Sequence, residues 1–167
     1  MSIPYRGITS SSTYFLTAGT YNKTNILQSE RMADLFCRTL LRYRDAGKLQ
    51  LHAFVVMPNH VHLLLTVPHG MTLERTMQLI KGGFSFAPGK LFGIPSPVWQ
   101  KSFVDRRVRD AIEYRRFIHY IHQNPVRAEL VQTAAEFRYS SINADFELDE
   151  LPQRLKPEYL EDSLMHR

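Results

Sequence analysis

The sequence predicts an α+β fold: a ferredoxin-like sandwich, an antiparallel four-stranded sheet with helices on one face, plus an appended C-terminal segment. Three observations carry that expectation. Runs of aromatic and β-branched residues alternate with stretches of helical apolar spacing in the order strand–helix–strand–strand–helix–strand. A third helical stretch follows, and no internal repeat or low-complexity stretch interrupts the series. At 167 residues, 44% of them hydrophobic, the chain has the size of one domain and enough apolar side chains for an ordinary core.

The elements follow in order. From Tyr14 to Tyr21 the run is rich in the residues that strands favour. Ser29 is placed to cap a helix whose apolar set, Met32, Leu35, Phe36, Leu40 and Tyr43, recurs at helical spacing until Gly47 ends it. Leu49–Met57 and His60–Val67 are two further strands, joined by the tight turn Pro58-Asn59. Thr72 caps a second helix, with Leu73, Met77 and Ile80 on one face and Glu74 in the first turn, which fades near Gly82-Gly83. A Gly- and Pro-rich loop to Pro97 precedes a short strand around Val98–Val104. Asp110 opens the third helix, whose apolar set is Ile112, Tyr114, Phe117, Ile118 and Ile121, and Pro125 stops it.

Composition narrows the class of protein. No apolar run approaches the ~20 residues of a membrane helix, and Met1–Arg6 lacks the apolar stretch of a secretory signal. The single cysteine, Cys37, excludes a disulfide framework and a multi-cysteine zinc site, and reads as a small packing residue. A soluble, cytoplasmic protein is expected. The formal net charge of +5 is unevenly divided: three basic against seven acidic residues from Asn143 to Arg167 leave that segment at −4 and residues 1–142 at +9. A body this basic attracts polyanions, nucleic acid foremost, although a solubility charge would look the same. The chain therefore divides into a body at 1–142 and an acidic C-terminal tail at 143–167. With Pro152 and Pro157, the part after Phe146 reads as loosely attached.

His60-Val61-His62 is the sharpest local motif. Alternate strand residues share a face, so both imidazoles project together roughly 7 Å apart, suited to one divalent cation. Two exposed histidines on a sheet face would give the same pattern. Val61, Leu63, Leu65 and Val67 point the other way, towards helices. In the third helix Tyr120 and Asn124 are four residues apart and share a face. There an amide oxygen could complete a metal site, beside a phenol that a nearby cation would favour as phenolate. A tyrosine packed in the core with its hydroxyl bonded is the plain alternative. Tyr114 is the fallback nucleophile, lacking an amide four residues on. His122 falls almost across the helix from Tyr120, while His52 and His119 read as surface or hydrogen-bonded histidines. Trp99, Phe84 and Phe86 read as core more readily than as base-stacking residues.

Together, Met57-Pro58-Asn59-His60-Val61-His62-Leu63-Leu64-Leu65 and Tyr120-Ile121-His122-Gln123-Asn124-Pro125-Val126-Arg127-Ala128 resemble the single-tyrosine transposases of the HUH class. Within that class the sequence is most similar to the REP-associated tyrosine transposases, relatives of the smallest insertion-sequence transposases. The resemblance runs from Tyr14 to about Ser141 and leaves out the acidic tail. It implies a divalent-metal-dependent strand transferase acting on single-stranded DNA with hairpin structure. His60 and His62 would be ligands to Mg²⁺ or Mn²⁺. Asn124 would complete the site, where many insertion-sequence relatives have glutamine. Tyr120 would be the nucleophile that forms a 5′-phosphotyrosine.

Beside such a site the basic cluster Arg106, Arg107, Arg109, Arg115, Arg116 and Arg127 is expected to contact DNA phosphates. The REP-associated branch implies a monomer, whereas insertion-sequence relatives work as dimers with shared sites. Transesterification conserves bond energy, and no phosphate-binding loop motif is present, so no nucleotide cofactor is expected. Two rivals stand beside this reading: a non-catalytic single-stranded nucleic-acid-binding domain of the same topology, and a phosphodiesterase that uses water in place of tyrosine.

Overall fold

A computed structural model describes residues 11–156. The first six residues, considered above for a secretion signal, lie outside them, as do Pro157 and the acidic Glu158, Glu161 and Asp162. Four strands, β1 (Ser12–Gly19), β2 (Gln50–Met57), β3 (His60–Val67) and β4 (Val104–Arg107), pair antiparallel in the order β2-β3-β1-β4. That order is the expected ferredoxin-like topology. Helices α1 (Glu30–Asp45) and α2 (Leu73–Phe92) cover one face. The appended helix, α3 (Ala111–Arg127), covers the other.

Period-two patterning fixes which residues meet which helix. Leu16 and Ala18 of β1 with Val61, Leu63 and Leu65 of β3 pack beneath Phe36, Leu40, Met77 and Phe84. Phe15, Val55 and Leu64 face the other way, onto Tyr114 and Ile121 of α3. Trp99 and Phe84 join the first core, as expected; Phe86 is exposed, with the Lys90 ammonium over its ring. Cys37 is buried, and its thiol is pushed up to about 12, chiefly by desolvation, so its role is packing.

The three expected caps are in place. Ser29 accepts from the Met32 amide, Thr72 from that of Arg75 and Asp110 from that of Glu113. Gly47, at φ 70°, closes α1 by donating to the Arg44 carbonyl while Lys48 reaches that of Tyr43.

Four expectations need correction. The second helix does not fade at Gly82-Gly83 but continues to Phe92. Gly83 is where α1 comes closest: a Cβ there would lie 2.5 Å from the Tyr43 hydroxyl, so glycine marks a close crossing instead of an end. Nor does Pro125 stop α3, which runs on to Arg127. The proline ring is buried in the last turn, and the helix closes after it. Leu130 donates to the Pro125 carbonyl and Glu129, at φ 58°, to that of Val126. The strand expected around Val98–Val104 is divided. Val98 and Gln100 bond to Tyr21 and Gly19, Lys101–Phe103 loop out, and β4 begins only at Val104, opposite Thr17.

The acidic segment, finally, is not loosely attached as far as Lys156. The chain leading into it, and the segment itself, run along the outer edge of β2: Tyr139 and Ser141 bond to Val56 and Phe54, and Asp149 to Leu51. The Asp149 carboxylate binds Arg44 at 3.0 and 3.3 Å and the Leu51 amide at 2.8 Å. Phe146, Leu148, Leu151 and Leu155 pack on the two cores. An edge strand gains cover, and residues 143–156 pack against the body.

Candidate active site

One end of the β1–β3 ladder opens beneath α3. Gly19 pairs with His60 and Thr17 with His62, so the two histidines stand at the sheet end where β3 begins, on the α3 face. The His60 and His62 rings lie 4.8 Å apart, and the Tyr120 ring meets His62 edge-on at 5.4 Å. Phe15 supports this group from below: its ring stacks on Phe117 at 4.6 Å, faces His62 at 5.5 Å and meets the Tyr120 ring edge-on at 5.5 Å. Asn124, one turn beyond Tyr120, is within hydrogen-bonding reach of His60. The motifs near residues 60 and 120 are thus brought into one cleft of about 450 Å³, lined also by Lys23, Asn59, Gln100 and Ser102.

Hydrogen bonds orient both imidazoles. His62 Nδ1 is 2.8 Å from Thr17 Oγ1, and His60 Nδ1 is 2.7 Å from Asn59 Oδ1, to which it donates. Each ring is left with Nε2. Burial holds both below the ordinary histidine range. His62, only 5% exposed, is pushed down to about 3, first by desolvation and then by His60 and Arg127. His60 is lowered by burial against an opposing hydrogen bond to Asn124. Both rings are therefore neutral near pH 7, the form that offers a lone pair. His62 is a buried ring packed on Phe15, not the exposed histidine of the plain alternative.

Among the described residues no group of three or more His, Cys, Asp or Glu is placed to hold a metal ion. The donor set in this cleft is two neutral imidazoles and amide oxygens. It fits a divalent ion that takes its remaining ligands, and its charge balance, from water and a substrate phosphate.

The arginine cluster is split by the fold. Arg127 lies over the Tyr120 ring at 4.0 Å, and Arg106 over the ring of Phe117, one turn before that tyrosine, at 6.0 Å. Arg107 pairs with Tyr14, whose side chain belongs to the opposite core, and so points away from α3. Arg109 is held by Glu113 at 2.7 Å, next to the α3 cap. Arg115 and Arg116 are exposed on α3, and Arg116 is one turn before Tyr120.

Tyr114 is buried, its ring edge-on to His52, and desolvation pushes its hydroxyl well above the usual phenol range, which removes it as fallback nucleophile. Tyr120 is 39% exposed. His122 turns away to Ser141 Oγ at 3.0 Å, and His52 is buried between Thr66 and the Asp149 carbonyl. Sequence reasoning missed Thr17, Phe15, Asn59 and Lys23. Lys23 carried a local signal only in the fold: it and Asn22 both hold left-handed backbone, at φ 54° and 53°, beside the cleft.

Two histidines of a strand thus face a tyrosine and an amide of a helix across one open cleft. Residues 9–124 match the family described as "Transposase IS200 like", and the chain belongs to that family. It is 25% identical to the REP-associated tyrosine transposase of Escherichia coli (strain K12) over 134 residues, covering 80% of this chain and 78% of that one. The fold is that of a solved REP-associated tyrosine transposase bound to a REP hairpin. The two share a TM-score of 0.72 at 22% identity, over 92% of this chain and 93% of the other. Among the described residues no helix is long and apolar enough to cross a membrane.

Proposed function

We propose that this transposase cleaves and rejoins single-stranded DNA beside a REP-like palindromic hairpin, through a 5′-phosphotyrosine on Tyr120 and with Mg²⁺ or Mn²⁺ as cofactor. The observation that carries the reading is the Tyr120 ring in contact with His62, itself against His60, across one cleft lined by a lysine and by no carboxylate. Such a cleft accepts a phosphodiester without charge repulsion.

His60, His62 and Asn124 would hold the metal, which when bound supplies charge neutralisation at the scissile phosphate. The remaining work falls to the chain. Helix α3 aims the Tyr120 hydroxyl into the cleft. Its oxygen, losing its proton, forms the new bond to phosphorus as the bond from phosphorus to the 3′ oxygen breaks, and that oxygen leaves as a 3′-hydroxyl carrying a proton. Rejoining reverses the step with a 3′-hydroxyl as nucleophile. One phosphodiester is exchanged for another ester, so no nucleotide is consumed. Lys23 and Arg106 flank the path of the strand, and Arg115 and Arg116 extend it along α3.

The tyrosine and both histidines come from one chain, which supports a monomer as the active form. The rival binding domain needs an open sheet for base stacking, and here helices cover both faces. The test is a labelled single-stranded hairpin with a 5′ flank, incubated with protein and Mn²⁺. Cleavage that stops in EDTA and in His60→Ala is expected, and full cleavage in chelator would refute the metal's part.

A further inference from the structure

We propose that Arg127 is a positioning residue for the Tyr120 ring and not the DNA-phosphate contact that its place in the basic cluster suggests. The proposal rests on reading Tyr120 as the nucleophile.

Arg127 lies seven residues, or two helical turns, beyond Tyr120 on α3. Its long side chain turns back along the helix, the direction in which helical side chains lean. The guanidinium carbon sits 4.0 Å from the Tyr120 ring centroid, well inside the ~6 Å reach of a cation–π contact. Its Nη2 donates to the Tyr120 carbonyl at 3.2 Å. Two contacts to one residue tie the guanidinium to the ring's face and to the backbone that carries it. The anchor is itself firm: Arg127 is the last residue of α3, between buried Pro125 and the closing bonds of Glu129 and Leu130.

The ring needs such a partner. Phe15 and His62 both meet it at near-perpendicular angles, 89° and 77°, and it is 39% exposed. Among the described residues Arg127 is the charged group stacked on its face. A half-exposed tyrosine with only these aromatic contacts could turn about its side-chain bonds, and each excursion would take the hydroxyl away from the cleft. Arg127 narrows that freedom before DNA arrives, so its contribution lies in the rate of attack and not in affinity.

The experiment uses the full chain as wild type, Arg127→Ala and Arg127→Lys, with two readouts. The first is single-turnover formation of the covalent adduct on a hairpin substrate, alongside hairpin affinity across a salt series. Arg127→Ala should slow adduct formation by roughly twofold to fivefold, the range to which an exposed contact of this kind converts. Affinity and its salt dependence should be unchanged, and Arg127→Lys, which keeps a cation over the ring, should recover most of the rate. An unchanged rate with weaker binding and a salt slope flatter by about 0.7 would make Arg127 a phosphate contact and overturn the proposal.

The second readout needs no DNA: 3-fluorotyrosine placed at position 120 is followed by fluorine NMR. Arg127→Ala should shift and broaden the resonance and Arg127→Lys should restore it; a resonance unmoved by either variant overturns the positioning role. If wild-type protein forms no adduct while the resonance responds, the transferase reading fails, and with it the purpose assigned to the contact.

Discussion

Thr17 Oγ1 and His62 Nδ1, 2.8 Å apart across the β1–β3 ladder, form the bond that decides which nitrogen His62 presents to the cleft. Thr17 is to His62 what Asn59 is to His60, and Thr17 lies on another strand, outside the motif that carries the histidines. Outer partners of this kind orient the ligand ring, and their loss typically weakens metal binding by about 10- to 100-fold. Thr17→Val keeps the shape and deletes the bond. Its Mn²⁺ affinity, measured by titration calorimetry, should fall within that range while the fold persists. Unchanged affinity would mean that the contact does not serve a metal site.

The buried histidines make stability fall in acid. Burial holds His52 below its ordinary value of 6.5 despite the hydrogen bond to the Asp149 carbonyl. The unfolded chain therefore takes up that proton first as pH falls. The stability is fully present above about pH 6.5 and is lost below it, at up to about 1.4 kcal/mol per pH unit for each such group. His60, His62 and His122, all lowered by burial, act in the same direction. In urea unfolding across pH 7 to 5, His52→Leu should show a flatter decline than wild type. A slope unchanged by that variant would contradict the assignment.

The C-terminal segment is part of the folded body up to Lys156. Asp149→Ala would strand the Leu51 amide and break the ion pair with Arg44, at a cost of about 2 kcal/mol in unfolding free energy. Asp149→Asn, which retains an acceptor, should cost less. Ending the chain after Phe146 would remove this anchor with Leu151 and Leu155, and should lower the melting temperature. A truncated protein as stable as the full chain would restore the picture of a loose tail.

The arginines now separate into groups that a salt titration can distinguish. Arg115→Ala and Arg116→Ala should each flatten the log–log dependence of hairpin affinity on salt by about 0.7, one phosphate contact apiece. Arg109→Ala should not, because its guanidinium is already bound to Glu113. Equal effects from all three would return the cluster to the undivided basic patch that the sequence suggests.

Much of the site was legible because strand and helix periodicities are short-range. Alternation put His60 and His62 on one face, and four-residue spacing put Tyr120 beside Asn124. Each held without knowledge of the other motif. What escaped was set by pairing across the chain. Thr17 becomes a partner of His62 only through the strand register, and Arg127 acquires Tyr120 only because its side chain folds back along α3. The helix boundaries misread at Gly83 and Pro125 have one cause: tertiary contact overrides a local breaker, Tyr43 pressing on the first and the core enclosing the second. The acidic tail misled because net charge outweighed a few apolar residues, Phe146, Leu148, Leu151 and Leu155, that have cores to join.

The central claim is that the Tyr120 hydroxyl is the nucleophile. Tyr120→Phe deletes one oxygen and leaves the ring contacts with Phe15, His62 and Arg127 in place, so stability should change by no more than about 1 kcal/mol. The decisive measurement is denaturing electrophoresis of wild type and variant after incubation with Mn²⁺ and a hairpin labelled on either side of the cut. Wild-type protein should carry a covalent adduct that retains only the label 3′ of the cut, and Tyr120→Phe should bind the hairpin yet form neither adduct nor cleaved product. Cleavage by Tyr120→Phe at a rate near wild type would make water or another residue the nucleophile and contradict the account.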